Sequence, residues 1–155
     1  MNIASSIINT KIVDSSYDDF WNEVPLVLAN LIPTKVLVLI NGYTAGSNEE
    51  ILLTKMLEAC KLQTTQYKIA TLDTNIAWHK LKEIVQPKVV FLFGIHPQQL
   101  GISALFILNE PNRFHDCIWL PVPPLNVVES NKDVKKQLWE NGMKPIFIEN
   151  KFGKI

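Results

Sequence analysis

Arginine is almost missing from this sequence: in 155 residues the only guanidinium is that of Arg113. A surface that grips phosphates through forked, bidentate contacts needs more of them, so a dedicated DNA-binding face is not expected. DNA stays a weakly supported partner, through a local surface only. Net charge does not make up for it, because 15 Lys and Arg balance 15 Asp and Glu, leaving no bulk field to draw in nucleic acid. Cysteine is scarce too. Cys60 and Cys117 stand alone, with no CxxC pair and no zinc or iron–sulfur spacing, so neither a metal nor a cofactor is expected. Cys60 falls on the apolar face of a helix, which reads as a buried structural thiol. No apolar run reaches the ~18 residues that a bilayer span requires, and Met1–Ser6 has no basic n-region or apolar h-region of a leader. The expectation is a cytoplasmic protein with no membrane partner.

What is present is a globular composition, 47% hydrophobic and 19% charged, at a length suited to one domain with an ordinary core. There is no internal repeat, low-complexity tract or linker. The reading is one domain over 1–155, with an N-terminal helical segment over 1–34 and a basic tail over 148–155. Asp14-Ser15-Ser16 reads as a helix N-cap, followed by an amphipathic run with Phe20, Trp21, Val24, Leu26, Val27 and Leu31 that Pro33 stops.

Val36–Ile40 and Val89–Phe93 are continuous apolar runs of the kind that a strand covered on both faces shows. Tyr67–Leu72 and Cys117–Val122 read as two more strands. Helices are expected over 51–60, over Ile76–Val85 up to Pro87, and over a last segment capped by Ser130 or Asn131 and ended near Gly142. A short helix is expected around Pro97–Leu100. Ala104–Leu108 fits a strand or a helix equally, and Pro123-Pro124 predicts an extended segment. Strands alternating with helices predict an α/β fold, a mainly parallel four-stranded sheet between helical layers. Lys144–Ile155 is basic and is expected to be partly loose.

One corner of this plan has the layout of a ligand site. Val36–Ile40 empties into Asn41-Gly42-Tyr43-Thr44-Ala45-Gly46, which opens the helix after Ser47. In open α/β sheets ligands bind at the carboxyl ends of strands, and the helix start could hold an anion on its backbone N–H groups. Gly42, Thr44, Gly46 and Ser47 are therefore candidate ligand-binding residues. Yet Tyr43, Thr44 and Ala45 include no carboxylate, His or Lys, so the loop has no obvious catalyst.

Three blocks resemble, in order and over about residues 36–147, the uracil-DNA glycosylase superfamily. Gly42-Tyr43-Thr44-Ala45-Gly46 with the helix Leu52–Ala59 resembles the first motif, which reads Gly-Glu-Ala-Pro-Gly in the four-iron–four-sulfur members. Leu81–Gly94 resembles the family's helix and strand "I-x-P-K-V-I-x-x-L-G". Pro121–Val128 with Lys132–Trp139 resembles the last motif, His-Pro-Ser/Ala-x-Leu-Leu with a downstream Trp. The resemblance implies a three-layer α/β/α sandwich. It also implies an acidic or amide group that activates water at Tyr43, or at Asn41 if the frame shifts. It implies a His that stabilises the departing base where Pro123 or Pro124 stands, in a loop that continues into Leu125 and Asn126. The cluster cysteines and the Gly/Phe-rich pocket segment are absent. A shortened loop, a lost His and a retained Trp helix are similar to a non-enzymatic branch of this fold, the psi subunits of the bacterial DNA polymerase III clamp loader.

Among the remaining residues, His96 after Gly94 could be a relocated catalytic or ligand-contacting His, but a helix-entry residue bonded to backbone is preferred. His115 with Asp116 reads as a polar loop pair, and His79 as part of a solvated face. Trp119 and Trp139 read as core, while Trp21 and Trp78 could mark a partner site if exposed. Lys132, Lys135 and Lys136 read as a solvated helix face. The expectation is a degenerate, non-catalytic domain that binds another protein of the replication or repair machinery. One alternative is an active glycosylase for uracil or another deaminated base, with Asn41, Tyr43 and His96 as its catalytic candidates. The other is a small anionic ligand-binding domain.

Overall fold

The computed structural model describes residues 32–155; the expected N-terminal helix and Trp21 lie outside them. The chain runs β1 (Val36–Ile40), α1 (Asn48–Ala59), β2 (Tyr67–Thr71), α2 (Trp78–Val85), β3 (Val89–Phe93) and a 3-10 turn at Pro97–Leu100. It continues with β4 (Asn112–Phe114), β5 (Cys117–Val122), α3 (Leu125–Ser130) and α4 (Lys132–Gln137). A π-helical segment, Leu138–Met143, and α5 (Lys144–Phe147) follow.

The sheet order is β2-β1-β3-β5-β4. β2, β1, β3 and β5 are parallel, and β4 is antiparallel to β5. The sheet is therefore mixed and five-stranded, not four-stranded as expected. The extra strand is short, and the two residues that turn it into β5, His115 and Asp116, both have positive φ (49° and 60°). That geometry matches the twist of a two-residue hairpin, but His-Asp lacks the Asn-Gly or Asp-Gly signature that would have announced it.

Alternation along the central strands builds two cores. Val36, Val38 and Ile40 join Val89, Phe91 and Phe93 on one face, against Leu53 and Leu57 of α1, Leu125 and Val128 of α3, and Leu138, Met143 and Ile146 beyond. Leu37 and Leu39 join Val90 and Leu92 on the other face, against Leu81 and Val85 of α2 and Leu100 of the 3-10 turn. Apolar residues at every position of β1 and β3 follow from this two-sided burial. The chain steps from β1 to β2 through α1, then crosses back to β3 through α2. Right-handed crossovers in opposite directions put those helices on opposite faces.

Three expectations near the end of the chain are corrected. Pro123-Pro124 does not lead into an extended segment: Pro124 is the N-cap of α3, so the missing N–H costs nothing there. The last helix does not stop near Gly142. Backbone angles stay helical through Leu138 (φ −60°, ψ −43°) and Lys144 (φ −59°, ψ −46°), so α4, the π-helical segment and α5 form one continuous helix with a bulge. Nor is the stretch after it loose. Pro145 and Ile146 are buried, Phe147, Phe152 and Ile155 pack on the core, and Arg113 lies 5.2 Å over the Phe152 ring. The apolar residues, not the lysines between them, decide where this stretch goes.

Candidate functional site

β1, β3 and β5 end in register, Ile40 opposite Phe93 and Phe93 opposite Val122. Asn41, Gly94 and Pro123 therefore begin three loops side by side along the carboxyl edge. The strand order reverses between β1 and β3, which makes this the switch-point crevice where α/β sheets usually take a ligand. The sequence candidates Asn41–Ser47, His96 and Pro123–Asn126 are all brought to this edge.

The crevice itself is occupied. Gly94 has φ +69°, and a Cβ there would meet the Asn41 carboxamide at 2.9–3.1 Å. The Asn41 side chain thus lies against the backbone of Gly94, between the two strand ends. Gly94 is needed twice, for its positive φ and for this close approach. Asn41 N–H donates to Phe93 O at 3.2 Å and Gly94 N–H to Val122 O at 2.9 Å, tying the three loops together.

The start of α1 is capped in part from within. Ser47 is the N-cap, its Oγ accepting from Glu50 N–H at 3.4 Å, while Glu50 Oε1 accepts from Gly46 N–H at 2.9 Å. A carboxylate of the chain itself already stands at the positive end of the helix, where an external anion would have to sit. Tyr43 packs half-buried on the core. Burial, then the charge of Glu50, then the hydrogen bond to its carboxylate raise the phenol's pKa above its ordinary 10.0. Tyr43 therefore keeps its proton at neutral pH and is no general base.

His96 is exposed and is the N-cap of the 3-10 turn. Its N–H donates to Gln99 Oε1 at 3.0 Å. It stands on the wall of a groove of about 440 Å³ shared with Gly94, Phe106, Pro121, Pro123 and Pro124. No carboxylate lines that groove, so His96 has no acid beside it to set a tautomer or share a proton.

The loop Ile102–Asn109 makes the outer wall; Ala104–Leu108 within it, which fitted a strand or a helix equally, is neither. Ala104 and Phe106 pack inward, with the Phe106 ring 5.5 Å from Trp119. Leu105, Ile107 and Leu108 point out and are 91%, 60% and 52% exposed. Asn112 fixes this posture: its Oδ1 accepts from Ile107 N–H at 2.9 Å, and its Nδ2 donates to Ile107 O at 3.0 Å and Glu110 O at 2.7 Å. Sequence reasoning missed this row. The signal was there, an apolar run too long for its polar surroundings, but nothing marked which side chains would face water.

The other candidates are structural. Trp119 and Trp78 are buried and meet edge-to-face at 4.5 Å, and Trp119 Nε1 donates to Phe114 O at 2.9 Å. Trp139 is only half-buried. His115 stacks on Phe114 at 4.1 Å. A shallow depression of about 490 Å³ at the opposite edge gathers His79, Lys82, Glu83, Asp116 and Cys117. Two of its groups are committed elsewhere: Lys82 Nζ donates to His115 O at 3.3 Å, and Cys117 Sγ to Pro87 O at 3.2 Å. Burial pushes the Cys60 thiol up to about 12, which makes it inert. Among the described residues no group of three or more His, Cys, Asp or Glu could hold a metal, and no helix is long and apolar enough to cross a membrane. No family model, no curated protein and no solved structure matches the chain.

Proposed function

We propose that this chain is a non-catalytic α/β/α sandwich of the uracil-DNA glycosylase type that works by holding another protein in DNA replication or repair. One observation carries the reading. Where base excision would need an acid or amide on water and an imidazole on the departing base, the corner has a proton-holding Tyr43, an Asn41 laid against Gly94, and Pro123 and Pro124. Beside them stands an apolar groove rimmed by the exposed Leu105 and Leu108. Loss of a donor for the developing charge costs on the order of 10²–10³ in rate, and loss of the base roughly 10²–10⁴ more. An exposed apolar row held rigid by Asn112 is what a docking surface needs.

The anion-binding alternative is weakened by Glu50, which already occupies the helix start. The test has two arms. Oligonucleotides containing uracil or hypoxanthine should show no strand release after incubation with the chain followed by hot alkali, which cuts the backbone at any abasic site that base removal leaves. Strand release that an Asn41→Ala variant abolishes would overturn the reading in favour of a glycosylase. Capture from native cell extract should retain a partner with the wild-type chain and lose it with Leu105→Asp. Capture unchanged by that substitution would remove the corner groove from the proposal, and salt-dependent affinity for plain DNA would favour a nucleic-acid role.

A further inference from the structure

A second apolar slot lies on the other face of the sheet, between α1 and the π-helical segment. Leu52, Met56, Ala59, Leu138, Trp139 and Met143 line it, and the only charged side chains in its walls are Lys55 and Lys135. Its volume is about 200 Å³, below the roughly 300–1,000 Å³ of sites that enclose a small molecule. It suits apolar side chains of a partner, not a metabolite. The half-exposed Ile51 prolongs the apolar strip along α1. Among the described residues the one ion pair is Lys151 with Glu149, so neither Lys55 nor Lys135 is paired there. Glu58 and Glu140, on the same two segments, do not line the slot.

Two cations unpaired among the described residues, flanking an apolar slot, specify what should cover it. We infer that this groove docks an acidic amphipathic helix of another protein, its apolar row in the slot and its carboxylates over Lys55 and Lys135. The half-buried Trp139 is the large apolar contact such grooves use. The π-helical bulge turns Trp139 and Met143 toward α1 while Gly142 seats against Leu120; bulges of this kind often mark functional surfaces. This surface is separate from the corner groove, and the inference stands whatever occupies that groove.

The test is a display selection of random peptides on the full chain, followed by affinity measurement on the full chain and on its K55E/K135E variant. Enriched peptides are expected to carry net negative charge with large apolar residues three and four apart. They are expected to bind the wild-type chain about tenfold more tightly than K55E/K135E, and to be lost with Ala59→Trp, which fills the slot. The urea midpoint of K55E/K135E should stay that of the wild type, showing that the fold is intact. No enrichment, enrichment of basic or uncharged peptides, or equal binding to both proteins would overturn the inference. So would affinity that rises about tenfold when Phe20 and Trp21 are replaced by alanine, which would make the chain's own acidic aromatic segment the occupant. A dimer in sedimentation that K55E/K135E dissolves would overturn it in favour of a second copy.

Discussion

Replacing Gly142 with alanine sets two effects against each other. The backbone there is helical, so alanine gains roughly 1 kcal/mol of propensity over glycine. Against this, a Cβ at Gly142 would lie 2.8 Å from Leu120 Cδ1, 3.0 Å from the Asn109 carbonyl oxygen and 3.4 Å from Leu138 Cδ1. A leucine methyl can swing aside. The Asn109 carbonyl has less freedom, because Asn109 is buried and its own N–H donates to Pro121 O at 2.8 Å. Overpacking of this kind costs roughly 1–3 kcal/mol, so the steric effect wins and Gly142→Ala is expected to destabilise by about 1 kcal/mol net.

Urea unfolding followed by far-ultraviolet circular dichroism measures this directly, as a lower midpoint at unchanged slope. The neighbouring exposed Asn141 provides the control: Asn141→Ala meets nothing and should gain a few tenths of a kcal/mol from propensity alone. A Gly142→Ala variant as stable as the wild type, or more stable, would refute the packing of the bulge against the Asn109 loop.

Leu105→Asp should leave stability within about 0.5 kcal/mol, since the side chain is almost fully exposed, while abolishing partner capture; a large drop in melting temperature would show that Leu105 is core. Glu50→Gln should lower the pKa of Tyr43, read from its ultraviolet titration, without returning it to 10.0, because burial, the largest cause, remains. Cys60 should resist alkylation at pH 8 until the chain unfolds, and rapid labelling of the native protein would refute its burial. Because its folded pKa is raised from 9.0 to about 12, its contribution to stability is complete below pH 9 and is lost as pH rises through that window, with a slope of at most about 1.4 kcal/mol per pH unit. The urea midpoint should fall over this range, and less steeply in Cys60→Ala. Trp119→Ala should cost roughly 3–5 kcal/mol, as its ring is fully buried and its Nε1 bonded.

The buried strands were legible because the five apolar residues at Val36–Ile40 and at Val89–Phe93 are rich in β-branched side chains and each run ends at a glycine turn, the pattern of a strand covered on both faces. The carboxyl-edge loops followed from them, since alternation with helices makes the strands parallel and so gathers Asn41, Gly94 and Pro123. What stayed hidden depended on contacts between segments distant in sequence. β4 is three residues held by β5, and α3 starts where two prolines argued for extended chain. The helix past Gly142 continues because Ile146 and Phe147 find the core, which no local propensity encodes. The exposed row Leu105–Leu108 needed Asn112 to fold back on it.

The corner differs from a working α/β ligand site by what its usual devices are doing. A switch-point crevice is useful when the two strand ends leave a gap; here the Asn41 carboxamide lies in that gap against Gly94. A helix N-terminus is useful when its donors face solvent; here Glu50 and Ser47 take donors at Gly46 and Glu50. A tyrosine beside a carboxylate can move a proton when its pKa approaches neutrality, but burial and Glu50 push Tyr43 the other way. Each device is engaged within the chain, which is why we favour the proposed recognition role over chemistry at this corner. The one imidazole at this edge, His96, faces a groove whose walls, among the described residues, hold no acid with which to share a proton.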